Sequence, residues 1–106
     1  SNRFDLPGEV FLEVRRGGRL VALGGLNRDP YLDDPSVGRI RHVYVHPDAR
    51  DTGVGHALVT ALVEHARDGF ARVRLRAGPP CAGYFYVALG FVTTPGEENS
   101  THELKL

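Results

Sequence analysis

The first half of the chain is dominated by alternating hydrophobic and polar positions. This alternation over residues 10–16 predicts a half-buried strand. The Gly17-Gly18 pair can supply the positive φ angles of a two-residue hairpin turn, which leads into a second strand over 19–26. A run of β-branched and aromatic residues predicts a third strand over 39–45. The pattern therefore predicts three strands before any helix.

In the second half, helical and strand periods follow one another. After Gly53 the apolar residues recur at helical spacing, and Gly69 is expected to end this helix. Its predicted buried face consists of Val54, Ala57, Leu58, Ala61 and Leu62. The remaining predicted elements are a strand over 71–78, a short helix over 82–89 closed by Gly90, and strands over 91–94 and 101–106. The order β-β-β-α-β-α-β-β predicts one α+β domain over residues 1–106.

Two details of the predicted strands bear on the sheet. The pair Gly24-Gly25 predicts a bulge or a close approach of another part of the chain. Arg72, Arg74 and Arg76 alternate with apolar residues, which predicts that the three arginines form a solvated strand face. The alternative is that arginines from Arg67 to Arg76 meet a phosphate group of a ligand.

Composition excludes several classes of function. The 106 residues carry no formal net charge, so no overall positive field would collect nucleic acid or an anionic membrane. No apolar run approaches the length of a transmembrane helix. The single cysteine, Cys81, excludes an internal disulfide and favours a reducing compartment, the cytoplasm. Ser1 and Asn2 are interpreted as a cloning remnant, and no ligand spacing indicates a metal site.

The stretch RDTGVGHAL, residues 50–58, places two glycines at the start of the first helix. The N-terminus of a helix carries unpaired N–H groups and partial positive charge, and glycines let a phosphate reach that backbone. Arg50 adds a positive side chain there. The segment is not a Walker A loop, because the Gly-Lys-Ser/Thr ending is missing. It is not a dinucleotide-binding fingerprint either, because the third glycine is missing. The alternative is that the glycines only allow the helix to pack closely on the sheet.

Two motifs resemble those of the Gcn5-related N-acetyltransferase (GNAT) family. Residues 50–55 follow the acetyl-CoA signature Arg/Gln-x-x-Gly-x-Gly/Ala, and residues 84–91, YFYVALGF, resemble a second family motif. The resemblance covers residues 10–106. It implies a twisted, mostly antiparallel sheet with two helices. The strand and two helices that usually begin the family fold have no counterpart before residue 10.

The resemblance also implies how acetyl-CoA is bound. The pantetheine arm would lie along strand 39–45 and bond to its main chain, and the pyrophosphate would lie on the backbone N–H groups of residues 50–56. The cofactor-binding residues implied in this way are Val43, Tyr44, Val45, Arg50, Asp51, Thr52, Gly53, Val54, Gly55 and His56.

Two residues are candidates for catalysis. Tyr86 matches the family tyrosine that donates a proton to the leaving sulfur, with a core aromatic as the alternative interpretation. Arg41 occupies the position where many members carry a glutamate base, and arginine cannot act as a base at neutral pH. His42 is the titratable alternative on this strand, although alternation turns it to the opposite face unless a bulge re-aims it. The alternative is that His42 is a structural residue and that the amine loses its proton through ordered water.

The resulting functional hypothesis is transfer of an acetyl group from acetyl-CoA to a primary amine of a small molecule or peptide. The alternative is a non-catalytic acyl-CoA-binding module, or a partial domain completed by another chain or segment. Because an uncovered edge strand and sheet face recruit other chains, a homodimer is also expected.

Overall fold

The computed structural model describes residues 9–50, 52–78 and 80–106, which form six strands and two α-helices. The elements are β1 (Val10–Arg16), β2 (Arg19–Arg28), β3 (Val37–Val45), a 3-10 turn (Pro47–Ala49), α1 (Val54–Ala66), β4 (Arg72–Leu75), α2 (Pro80–Ala88), β5 (Val92–Thr93) and β6 (His102–Lys105). The predicted order of elements is confirmed. The last three strands are shorter than predicted, and α1 ends at Ala66, before Gly69.

The six strands form one sheet in the order β1-β2-β3-β4-β6-β5. Only β3 and β4 pair in parallel, so the sheet is mostly antiparallel, as predicted. The hairpin between β1 and β2 turns at Gly17 and Gly18, whose φ angles are +61° and +79°. Both glycines therefore adopt the left-handed conformation that the sequence predicts for this turn.

Helix α1 crosses one face of the sheet and forms the main core. It contacts β1, β2, β3 and β4, and its own Leu58 and Leu62 are fully buried. Ala57, predicted to be buried, is exposed, whereas Val59 and Val63 are buried. The prediction for Ala57 was wrong because the helix covers four strands, which shifts its buried stripe toward Val59 and Val63. Neither α1 nor α2, as far as the structure describes them, is long and apolar enough to cross a membrane.

The opposite face of the sheet is covered by loops and ion pairs over β4 and the start of β3. Arg74, predicted to be solvated, is only 7% exposed and lies between Glu97 at 2.8 Å and Glu103 at 3.2 Å. Arg39 is similarly buried and donates to the carbonyl oxygen of Asn99 at 2.7 Å. The prediction for Arg74 was wrong because the connection between β5 and β6 folds back over the sheet.

The two parallel strands in the middle of the sheet separate soon after they begin to pair. β3 and β4 are in register only from Val37 and Arg72 to Arg39 and Arg74. β3 continues to Val45 along β2, whereas β4 ends at Leu75. The divergence opens a cleft in the sheet, and this cleft carries the candidate site.

Candidate active site

The cleft has a volume of about 760 Å³ and is bounded by four segments. One wall is β3 from Ile40 to Val45, and the facing wall runs from Leu75 to Gly78 at the end of β4. The turn before α1 contributes Arg50 and the glycines that follow it. Helix α2 contributes Ala82, Phe85 and Tyr86. The two segments that carry the sequence motifs therefore line the same cavity, although about thirty residues separate them.

The turn into α1 has the conformation expected of an anion-binding helix start. Gly53 is the N-cap residue, with φ +84°, and a Cβ added there would meet no atom within 4 Å. The Ala57 N–H donates to the Gly53 carbonyl at 3.0 Å, so the N–H groups of residues 54–56 have no acceptor within the helix. Gly53 and Gly55 line the cleft together with His56. A pyrophosphate would fit here, because the donors are unclaimed by the helix and the glycines leave the space open.

Gly53 and Gly55 are glycines for different reasons. The left-handed φ of Gly53 strains any residue with a Cβ. Gly55 lies inside the helix, and a Cβ there would stand 3.4 Å from Val45 Cγ2 and 3.5 Å from Phe85 Cζ, an ordinary packing distance. The fold itself therefore does not require a glycine at position 55.

The other predicted cofactor residues divide into two groups. Val43, Val45 and Arg50 line the cleft, and the Arg50 Nε donates to the Val45 carbonyl at 3.2 Å. Tyr44, Thr52 and Val54 are not among the described residues that line it. Tyr44 is exposed, and Val54 is buried in the core. The Thr52 hydroxyl donates to the Ala49 carbonyl. Asp51 lies outside the described residues.

A β-bulge places His42 in the cleft. Leu23 pairs with Tyr44 and Gly25 pairs with Arg41, so His42 and Val43 together lie opposite Gly24. His42 takes the left-handed conformation, with φ +58°, which interrupts the alternation of β3. Its side chain is exposed and lines the cleft together with that of Arg41. The bulge that would re-aim His42 is therefore present, and Gly24 was its signal in the sequence.

Tyr86 lines the cleft from α2 and is only 8% exposed. Its ring packs against Phe85 and Phe91 with centroid distances of 5.1 and 5.6 Å. Burial raises the pKa of Tyr86 above its ordinary value of 10.0. The phenol therefore keeps its proton at neutral pH and can donate it. The same position serves both interpretations of Tyr86, since its ring is part of the core and the residue borders the cleft.

His102 is a buried residue near the site that the sequence did not indicate. It is 6% exposed, and Thr101 Oγ1 lies 2.8 Å from its Nδ1. The same hydroxyl accepts the N–H of Ala77 in the cleft wall at 2.8 Å. A Cβ on Gly83 in α2 would lie 3.3 Å from His102 Cε1. His102 on β6 therefore packs against α2, and its ring centroid lies 6.1 Å from that of Tyr86. This contact depends on which strands pair.

No group of three or more histidine, cysteine or acidic side chains in the described ranges could hold a metal ion. Cys81 belongs to α2. Among the described residues that line the cleft, Tyr86, His42 and His56 carry side chains that can act in acid–base chemistry.

Similar proteins of known structure share this fold. A protein from Exiguobacterium sp. 255-15 described as an acetyltransferase superposes with a TM-score of 0.83 and 34% identity, over 96% of this chain and 66% of that protein. Rv2747 of Mycobacterium tuberculosis, in complex with CoA, gives a TM-score of 0.68 and 28% identity over 85% of this chain and 52% of its own. N-acetylglutamate synthase of Neisseria gonorrhoeae, also in complex with coenzyme A, gives a TM-score of 0.74 and 20% identity over 91% of this chain and 25% of that chain.

The chain spans about two-thirds of the length of the Exiguobacterium protein. Its residues 2–91 match the acetyltransferase (GNAT) family. Rv2747 and the N-acetylglutamate synthase were crystallised with coenzyme A, the carrier part of the acetyl-CoA that the two sequence motifs predict. The chain therefore belongs to the GNAT family of acetyltransferases.

Proposed function

We propose that this chain transfers an acetyl group from acetyl-CoA to a primary amine of a small molecule or peptide. The observation that carries the proposal is the cleft between β3 and β4. It has a glycine-lined helix start in one wall and a buried, protonated tyrosine in another. An anion site and a proton donor within one cavity are what an acyl-CoA substrate and its leaving thiolate require.

Each wall of the cleft has a role in this proposal. Acetyl-CoA supplies the thioester that is transferred. The N–H groups of residues 54–56, with Arg50 beside them, would hold the pyrophosphate. The main chain of Val43 and Val45 would bond to the pantetheine arm. The Val45 carbonyl oxygen already accepts the Arg50 Nε–H and has a second lone pair.

The reaction itself needs two proton movements. The amine nitrogen forms a bond to the acetyl carbon while the carbon–sulfur bond breaks, so the amine loses a proton and the sulfur gains one. Tyr86 is the proposed donor to the sulfur, because its raised pKa keeps the phenol protonated. His42 is the proposed acceptor of the amine proton, directly or through water, because the bulge turns it into the cleft.

Thermal unfolding and CoA release test this function together. A ligand at 100 times its dissociation constant adds about 2.7 kcal/mol to the free energy of unfolding. We therefore expect millimolar acetyl-CoA to raise the melting temperature, and a panel of amines to release free CoA thiol. Stabilisation without amine-dependent CoA release would indicate a non-catalytic acyl-CoA-binding module. A melting temperature that does not respond to acetyl-CoA would refute both.

A homodimer in the cytoplasm completes the proposal. Among the strands that the structure describes, β1 lies at one edge of the sheet, and Phe11 and Tyr44 on the face away from α1 are 42% and 44% exposed. Such an edge and face favour pairing with a second copy. The single cysteine of the chain supports a reducing compartment. Light scattering coupled to size exclusion tests the dimer, which a monomer at high micromolar concentration contradicts.

A further inference from the structure

The cleft carries a local excess of positive charge. Among the described residues that line it are three arginines, and no aspartate or glutamate. The whole chain, by contrast, has 13 basic Lys and Arg residues and 13 acidic ones. The positive lining is therefore a property of this cavity and does not follow from composition.

The arginines of the cleft lie at two different ends of it. Arg50 is at the turn into α1, where the proposed pyrophosphate site lies. Arg41 and Arg76 lie near the opposite end, where β3 and β4 stop pairing. Arg39 and Arg74 form the last register pair, and Arg41 and Arg76 follow two residues later on the two facing walls. Because β3 rises by roughly 3.3 Å per residue, Arg41 and the end of the strand at Val45 are on the order of 10 Å apart.

The arginines before and after the point where β3 and β4 separate differ in their ion pairs. Arg39 lies 3.5 Å from Asp29, and Arg74 contacts Glu97 and Glu103. Arg76, two residues beyond Arg74, is exposed and makes no ion pair with any residue that the structure describes. The protein therefore neutralises the arginines that precede the cleft and leaves a positive charge at its narrow end.

We propose that the acceptor is an amine that also carries a carboxylate, and that Arg76 binds this carboxylate at the narrow end of the cleft. The inference rests on the proposed acetyl transfer. A guanidinium matches a carboxylate with two parallel hydrogen bonds, which fixes the orientation of the bound molecule. A polycationic acceptor would instead meet like charge at Arg76.

Matched acceptors test the charge requirement. The amino acids glycine, β-alanine and phenylalanine are compared with their carboxamides, with acetyl-CoA as donor and thiol release as readout. The amine of each amide is the less basic of the pair and is more often neutral at pH 7.5. We expect kcat/KM to be about 10-fold or more higher for the acids, as one charge-assisted contact would give. Because the amides are intrinsically more reactive, such a preference would have to come from binding of the carboxylate.

Arg76→Gln separates acceptor binding from cofactor binding. We expect it to raise KM for the accepted acid by about 10- to 100-fold and to abolish the preference for acids over amides. The dissociation constant of CoA, measured by calorimetry, should stay within about twofold. Arg16→Gln, at an exposed position near the hairpin, is the matched control and should change neither quantity.

The inference is overturned by three results. The first is that the chain binds CoA but acetylates only amides or simple amines, or none of the acids. The second is that Arg76→Gln weakens CoA binding as much as it weakens acceptor binding. The third is that CoA does not bind at all, in which case the proposed acetyl transfer fails as well.

Discussion

Gly55 is the residue where the needs of the fold and of the ligand can be separated. It lies within α1, and a Cβ there would only reach ordinary packing distance from Val45 and Phe85. Alanine is preferred over glycine inside a helix by about 1 kcal/mol. The position is therefore one where the side chain of alanine would enter the cleft without straining the protein.

We expect Gly55→Ala to keep or raise the free energy of unfolding and to weaken CoA binding by about 10-fold or more, because a methyl group would stand against the backbone donors. Urea unfolding and calorimetry measure the two effects. Gly17→Ala is the control with the opposite pattern, since a positive φ of +61° in the hairpin should cost about 1 kcal/mol without affecting CoA. Equal CoA binding by wild type and Gly55→Ala would assign the glycine to helix packing alone.

Tyr86 gives a second prediction at this scale. Tyr86→Phe removes the proton donor but keeps the ring between Phe85 and Phe91. With an amine that is acetylated, kcat should fall by roughly 10²- to 10⁴-fold while the dissociation constant of CoA changes little. Unchanged kcat, where acetyl transfer limits turnover, would leave Tyr86 with a packing role only.

The same variant has a pH signature. Burial raises the pKa of Tyr86 above 10.0 in the folded protein, so its stabilising contribution is complete below pH 10 and is lost as the pH rises through the folded pKa. Wild type should therefore lose more free energy of unfolding above pH 10 than Tyr86→Phe does. Urea midpoints at pH 8 to 11 measure the difference, and parallel curves would contradict the assignment.

At the scale of elements, α2 packs closely against β6 where Gly83 faces His102. A Cβ on Gly83 would lie 3.3 Å from Cε1 and 3.4 Å from Nε2 of His102, closer than side chains usually pack. The Thr101 hydroxyl fixes the His102 ring at 2.8 Å, so the helix would have to yield. Such a shift would displace Tyr86, one turn further along α2.

We therefore expect Gly83→Ala to lower kcat by about 3- to 10-fold through misplacement of a few tenths of an ångström, with CoA affinity retained. His102→Asn in the same background provides a smaller side chain and should recover part of the lost turnover. No recovery in the double variant, or a loss of CoA binding in the single one, would contradict this account of the contact.

Elements defined by local pattern could be predicted from the sequence, whereas their partners could not. The alternation of β1 and the Gly17-Gly18 turn depend on neighbouring residues, and both occur as predicted. Arg74 has the alternation of a solvated face, but the loop that buries it comes from beyond β5. Gly24 indicated a bulge, yet only the pairing of β2 with β3 shows that His42 is the residue it re-aims.

The candidate site follows the same division. The glycine turn and Tyr86 belong to motifs within single segments, so sequence reasoning could find them. Arg76 and His102 gain their positions from the parallel pairing of β3 with β4 and the antiparallel pairing of β4 with β6. No local spacing encodes these pairings, and the roles proposed for the two residues therefore depend on the fold.

At the scale of the whole molecule, one buried ion pair joins two loops over the second face of the sheet. Asp29 is 1% exposed, accepts the Tyr31 N–H at 2.7 Å and lies 3.5 Å from Arg39. Arg39 reaches the Asn99 carbonyl in the connection between β5 and β6. This pair therefore links the segment before β3 to the one before β6.

We expect Asp29→Asn to lower the free energy of unfolding by about 3–5 kcal/mol, because it leaves the Arg39 charge buried without its partner. Asp33→Asn is the matched control. Asp33 is fully exposed and 3.8 Å from Arg28, so its loss should stay within about 0.5 kcal/mol. Urea unfolding measures both variants, and similar losses would show that the buried pair is not what holds the loops.

Where β3 and β4 separate, β3 has an unpaired side although it lies in the middle of the sheet. Beyond Arg39 the side of β3 turned toward β4 has no neighbouring strand, while its other side stays bonded to β2. Alternate amide protons of residues 40–45 should therefore exchange with deuterium quickly, between neighbours that exchange slowly. A molecule that lies along β3 as an added strand would slow those protons selectively. Deuterium uptake, followed amide by amide, would then locate it without any assay of turnover.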